Sequence, residues 1–363
     1  MVRTTMKHTF ILLFTLVIII GSSITIGIAS DIPQNTSKDS QIATDTTSGE
    51  TSTQPTYLTI QEEINQASPG STVQIPAGIY TEILTINKPL TLIGKEPTHT
   101  IIHPTSPNNG YAIQITAANV TLTGLDISNN GPGLYTTAVK ISVPHTTIQH
   151  CIIHDTPVGI AIWSTDNFIS DCDFQHCNDD AIVFLGTTTT VCARNTIQDC
   201  TFIKNCDGIE LQYASRNTIK HCDFSDNIHA GIDAIASSNN ENTFSHCTFS
   251  QNQGFGLYLA ASSSNTITNC DFTNDVLTLV SSSQNNLLNS QILHISLMDD
   301  SSLHIINCGT LEKSTITSIR SQYDIQNDQP LQRTQTTITK YTHYQSFLLF
   351  LQSHIRSLKT ILG

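Results

Sequence analysis

Positive charge is scarce in this sequence. Its 363 residues hold 16 Lys and Arg against 29 Asp and Glu, a formal net charge of −13. Nucleic-acid binding needs clustered Lys and Arg to neutralise phosphates, so no nucleic-acid partner is expected. Methionine occurs three times, and no Met- or His-rich cluster offers soft ligands for copper delivery. Tryptophan occurs once, at Trp163. Helical periodicity is missing from Thr100 to Thr310, which argues against a helical or α/β architecture there. Ser, Thr and Asn are abundant instead, a composition suited to an exported surface.

The N-terminus agrees with export. A basic leader, "MVRTTMKH", precedes the apolar run "TFILLFTLVIIIGSSITIGIAS". This is the order of a secretory signal, and small residues at Ala29 and Ser30 permit cleavage. A run of about 20 apolar residues also suits an N-terminal membrane anchor. Residues 1–30 are therefore a signal peptide or an anchor, and either places the rest outside the cytoplasm. Residues 31–56 are Ser/Thr-rich without apolar period and read as a linker.

A repeat fills the centre. "TTIQHCII" from Thr146, "NFISDCDF" from Asn167, "NTIQDCTF" from Asn195, "NTIKHCDF" from Asn217, "NTFSHCTF" from Asn242 and "NTITNCDF" from Asn265 align, with "NNLLNSQI" from Asn285 a degenerate member. Periods of this size mean stacked units that cannot bury their apolar faces alone. Within each unit apolar and polar residues alternate, as in short strands with one buried face. Such units stack as a parallel β-helix, one strand spacing (about 4.8 Å) per coil.

The repeat changes how ten cysteines are read. Exported proteins usually pair them. Here Cys151, Cys172, Cys200, Cys222, Cys247 and Cys270 share one column, so they are expected as a reduced inward ladder with poor disulfide geometry. Cys177, Cys192, Cys206 and Cys308 fall outside it. A second column, Asn167, Asn195, Asn217, Asn242, Asn265 and Asn285, is expected to bond amide to amide between coils.

The opening of the domain, "YLTIQEEINQASPGSTVQIPAGIYTEILTINKPLTLIG" from Tyr57 to Gly94, resembles the first coils of the pectin lyase-like superfamily. It is most similar to the NosD-like and "carbohydrate-binding and sugar hydrolase" group, whose repeats the downstream units also resemble. The resemblance covers roughly residues 57–312. It implies an all-β, single-stranded right-handed parallel β-helix over residues 57–326. The "LTIQEEINQA" segment, with Leu58, Ile60, Ile64 and Ala67 near one face, is expected as a helix capping the open first coil. Residues 327–363 are expected as a C-terminal cap or amphipathic helix, on a stripe of Leu348, Leu351, Ile355, Leu358 and Leu362. The group contains lyases, hydrolases, epimerases and copper-maturation proteins, so the resemblance does not choose an activity.

Candidate site residues come from the register. Aligning "GIAIW", "AIVFL", "GIELQ", "GIDAI" and "GLYLA" places Ile160, Ile182, Ile209, Ile232 and Leu257 inward. Ala161, Val183, Glu210, Asp233 and Tyr258 then form an outward column. Trp163, Leu185, Gln212, Ile235 and Ala260 form the next. Stacking Glu210 on Asp233 is repulsive, and packing does not call for it. Asp179, Asp180, Asp207 and His229 precede these strands, where Asp also suits a turn. A bound cation such as Ca²⁺, held by Asp207, Glu210 and Asp233, relieves the repulsion. So does a shared proton, which makes Glu210, Asp233, Asp180 and His229 candidate acid–base residues. Trp163, Tyr258 and Gln212 are candidate glycan-binding side chains.

The known enzymes of the superfamily do not map onto the chain. "CNDDAI" is similar to the paired aspartates of polygalacturonases, but no Arg-Ile-Lys motif follows, and the Asp-Pro-His signature of mannuronan epimerases is absent. The expectation is an exported or cell-surface protein that binds polysaccharide on an acidic outer face. If that face is catalytic, the class is polysaccharide lyase or glycoside hydrolase. The rivals are a non-catalytic adhesion scaffold and a NosD-like accessory protein for metal-cofactor maturation.

Overall fold

The computed structural model describes residues 58–235, 239–318, 320–326 and 337–340. The expected signal or anchor, the linker and the stripe from Leu348 to Leu362 lie outside the described residues. Among the described residues no helix is long and apolar enough to cross a membrane.

Helix α1 (Ile60–Gln66) opens the domain. Thr59 and Glu62 form a capping box, each satisfying the other's backbone N–H. The Glu82 carboxylate accepts from the next two free donors, Ile60 N and Gln61 N, at 3.0 Å each. Ile60 and Ile64 are buried, whereas Leu58 is exposed and Ala67 is the C-cap. The expected stripe therefore holds at Ile60 and Ile64, with Ala67 half-buried against the same core, and fails at Leu58.

Beyond α1 the chain winds as a right-handed parallel β-helix. Among the described residues one sheet holds 12 strands, each hydrogen-bonded in parallel to its equivalent in the next coil, from Thr72–Ile75 to Gln322–Gln326. The N-T-I segments lie on this face, with Ile148, Ile169, Ile197 and Ile219 in register and buried. The aromatic residue of each C-x-F segment lies on a second face. Phe174, Phe202, Phe224, Phe249 and Phe272 stack there with centroids 4.5–5.1 Å apart. The third face carries Ile182, Ile209, Ile232 and Leu257 in register, as expected. The solenoid continues past residue 326, because Thr337–Lys340 pairs in parallel with Thr315–Ser318.

The corners explain much of the polar sequence. The residue before each ladder cysteine takes a left-handed backbone, with φ of 50–54° at His150, Asp171, Asp199, His221, His246 and Asn269. Asp, Asn and His tolerate that conformation better than other side chains. The asparagine ladder is present: Asn167 Nδ2 donates to Asn195 Oδ1 at 2.8 Å, and Asn195 Nδ2 to Asn217 Oδ1 at 3.0 Å.

All ten cysteines are free thiols. The six expected ladder members are buried, and each donates to a nearby carbonyl, as Cys200 Sγ does to Gln198 O at 3.1 Å. Cys308 was expected outside this column and belongs to it. Cys270 N donates to Ser290 Oγ, Gly309 N donates to Ser290 O, and Cys308 Sγ donates to Leu287 O and Ile306 O. Ser290 fills the intervening coil and hides the continuity.

Candidate metal centre

The centre sits where the second face turns into the third. In a regular strand alternate residues would point outward. At this corner two successive residues point inward. A Cβ built on Gly208 would lie 2.5 Å from Gly231 O and 2.7 Å from Phe224 Cδ1, so Gly208 faces the phenylalanine stack. Ile209 also enters the core. Asp207 and Glu210 flank this inward pair and emerge on the same outer side. Gly231 and Ile232 repeat the arrangement before Asp233. Glycine is required here for close approach between coils.

Register then stacks the acids. Asp180 pairs with Asp207, Val183 with Glu210, and Glu210 with Asp233. Two overlapping ligand groups result, Asp180–Asp207–Glu210 and Asp207–His229–Asp233. Within each, the donor atoms lie within 4.8 Å of one another. His229 Nδ1 is 2.8 Å from Asp207 Oδ1 and 3.7 Å from Asp233 Oδ2. Gln212 Nε2 donates to Glu210 Oε1 at 2.9 Å.

The acids point away from the apolar core, yet they are not a solvated face. Asp180 is 1% exposed, Glu210 2%, Asp233 4% and Asp207 6%. The expected acidic outer surface is thus a buried acidic cluster, beside which the His229 side chain is 20% exposed. Burial disfavours the imidazolium. The field of Asp207, its hydrogen bond, and the fields of Asp233 and Glu210 outweigh that penalty and raise the His229 pKa to about 10. The ring meets Phe255 edge to face at 5.8 Å.

The structure brings Asp180, Asp207, Glu210, Asp233, His229 and Gln212 together. Asp179 stays in the turn, its carbonyl accepting from Asp207 N. The rings expected as platforms pack against apolar neighbours. Tyr258 follows Asp233 in the column, but its ring packs on Phe255 at 4.8 Å and is 8% exposed. Burial first, then Asp233 and Asp299, push its hydroxyl pKa upward. Trp163 joins Val158, Ala161 and Val183, with Lys140 Nζ 4.9 Å from its ring centre. That amine also donates to Tyr111 Oη at 3.0 Å.

Phe255 went unnoticed in the sequence because corner segments vary in length between repeats. A second ladder stands five residues after Cys200, Cys222, Cys247 and Cys270, a constant spacing that the sequence carries although the columns aligned above do not include it. Asn205, Asn227 and Asn252 bond in series and end on Asp275, whose Oδ2 accepts from Asn252 Nδ2 at 2.7 Å.

A family model described as "Periplasmic copper-binding protein (NosD)" matches residues 100–296. No curated protein matches the sequence significantly. Among solved structures, the A-module of mannuronan C-5 epimerase AlgE4 from Azotobacter vinelandii gives a TM-score of 0.58 at 14% identity, covering 76% of this chain and 90% of that one. The AlgE6 A-module from the same organism gives 0.56 at 13%, covering 78% and 90%. A mannuronic acid-specific polysaccharide family 6 lyase from human gut microbiota gives 0.50 at 10%, covering 82% and 91%. At these identities the likeness is one of fold.

Proposed function

The chain belongs to the NosD family, and from that premise we propose that it is an extracytoplasmic β-helix protein that binds a divalent metal ion at Asp207, His229 and Asp233 and engages glycan beside it. The convergence of one imidazole nitrogen and two carboxylates within 4.8 Å carries the reading. Asp180 and Glu210 complete the surrounding shell.

The donor set decides the ion. An imidazole with carboxylates suits Cu²⁺ or Zn²⁺, whereas Ca²⁺ takes oxygen ligands alone. No cysteine joins either group among the described residues, so the set does not suit Cu⁺. The copper in the family's description therefore fits here as Cu²⁺. Ca²⁺ fits only the all-oxygen Asp180–Asp207–Glu210 group, which shares Asp207. The glycan half of the reading draws on the named activities of the epimerase modules and the lyase, which act on polysaccharide with this fold.

The test is calorimetric titration of metal-stripped protein with Cu²⁺, Zn²⁺ and Ca²⁺. Affinity is expected in the order Cu²⁺, Zn²⁺, Ca²⁺. His229→Ala and Asp233→Asn should each weaken Cu²⁺ at least about tenfold, since the first removes a ligand nitrogen and the second the carboxylate's charge. Binding of no divalent ion, or variants that bind like the parent, rejects the centre. A glycan array that stays blank with and without Cu²⁺ favours the adhesion scaffold instead.

A further inference from the structure

We propose that a cleft one coil beyond His229 binds a neutral sugar residue of a glycan. The proposal rests on the glycan half of the reading above, not on the metal. The cleft has a volume of about 440 Å³, and Gln253, Gly254, Asn274, Asp275, Val276 and His294 are among its lining residues. That volume falls in the range of small-ligand pockets, and the cleft opens broadly to the surface.

The cleft exists because the corner shortens abruptly. Between the core residues Phe249 and Leu257 the chain spends residues 250–256 on the corner. Between Phe272 and Leu277 it spends 273–276, and between Ile292 and Ile295 only 293–294. The strand Asp271–Val280 accordingly runs through the corner without a break, while the two preceding coils break there. Pairing shifts at the same place, from Thr248–Asp271 to Ser250–Asn274 and from Phe272–Ile292 to Val276–His294. The longer corner of one coil overhangs the shorter corner of the next. The overhang is rigid, since Asn252 is tied to Asp275 through its N–H at 3.1 Å and its Nδ2 at 2.7 Å.

The lining chemistry selects the ligand. Val276 and Leu293 are half-buried and supply an apolar floor, which suits the C–H face of a pyranose. Gln253 and Asn274 are exposed and bring two amides to the rim. An amide both donates and accepts, as a hydroxyl does, so the pair complements a polyol. Asp275 contributes a buried carboxylate, and none of the described lining residues is Lys or Arg. An anionic sugar would bring a second negative charge here, with His294 the one described lining side chain able to carry positive charge. Neutral hexose or pentose units are the class that fits. Gly254 N and Phe255 N both donate to His229 O at 3.0 Å, so a glycan seated in the cleft runs next to the metal centre.

Calorimetry with maltotetraose, cellotetraose, mannotetraose, xylotetraose and tetragalacturonate, in EDTA and again with Cu²⁺, tests the cleft. At least one neutral tetrasaccharide should bind in EDTA, more tightly than tetragalacturonate. Gln253→Ala and Asn274→Ala should each weaken it at least tenfold while Cu²⁺ affinity stays at the parent value. Val276→Phe, which fills the floor, should abolish sugar binding in a variant whose circular dichroism spectrum and melting temperature match the parent. The proposal is overturned if no neutral tetrasaccharide binds, if tetragalacturonate binds more tightly, or if the variants bind like the parent. Neutral-sugar binding that the cleft variants leave unchanged would overturn the cleft and keep the glycan reading, whereas binding of no sugar by the parent would overturn both.

Discussion

His154 shows how a single side chain on this acidic molecule can be tuned. Its Nε2 lies 2.8 Å from Asp126 Oδ1 in the previous coil, and its Nδ1 lies 2.7 Å from Asp155 Oδ2. The hydrogen bond to Asp126 is the largest influence. Burial opposes it, and Asp155 adds to it, so the pKa rises to about 9. The folded value is above the unfolded value of about 6.5, so folding takes up the proton. The pair's contribution is fully present below pH 6.5 and fades as pH rises through 9. Because His154 is 28% exposed, the contribution is set at about 1–2 kcal/mol, that of a partly screened charge-assisted bond. His154→Gln should therefore lower stability by that amount in urea melts at pH 6 and by little at pH 10. Equal losses at the two pH values would show that the charge contributes nothing.

Elements depend on ladders that run between coils, and interior and terminal rungs ask for different side chains. Asn227 accepts from Asn205 N and Nδ2, and it donates to Asn252 Oδ1 at 2.8 Å and Phe202 O at 3.0 Å. It must accept and donate at once. Asp275 ends the ladder and only accepts, from Asn252 on one oxygen and from Val276 N on the other. A carboxylate suits the last rung and no other, although burial raises its pKa. Asn227→Asp should cost about 3 kcal/mol or more, because it leaves buried acceptors without donors and buries a charge. Asp275→Asn should cost about 1 kcal/mol, for the one bond from Val276 N. Chemical denaturation of both variants checks the order, and the reverse order would mean that the ladder does not carry the corner.

That ladder also marks what was legible in the sequence. The columns of Cys151, Asn167 and Ile160 could be read because strands repeat with period two and their lengths barely change. The pairing of Glu210 with Asp233 followed from the same regularity. Asp207 and His229 were legible as turn neighbours of the same acidic patch, but their direct approach was not, because Gly208 and Ile209 both turn inward and break the alternation on which such counting depends. Burial of the acids was equally hidden, since period two says which side of a sheet a residue faces and not what lies over it. Asn205, Asn227, Asn252 and Asp275 each follow a ladder cysteine by five residues, so that column was legible by the same regularity, whereas Cys308 is hidden behind the serine at position 290.

For the molecule as a whole, ten thiols in a protein placed outside the cytoplasm need a physical reason to stay unpaired, because that environment oxidises exposed cysteines. The solenoid provides two. Neighbouring ladder cysteines hang from parallel strands about 4.8 Å apart, so their Cβ vectors run side by side rather than toward each other. They are also sealed from oxidants, since nine of the ten are buried and Cys206 alone is half-buried. Oxidation would have to open a stack of coils whose phenylalanine and asparagine columns cross every interface, as expected of quasi-one-dimensional repeats. Ellman's reagent should therefore titrate one fast thiol in native protein purified without reductant, and ten in denaturant. Cys206→Ser should remove the fast phase, and reductant should leave the melting temperature unchanged. Fewer than ten thiols in the denatured, unreduced protein would show that a pair had closed and that the column is not the barrier argued here.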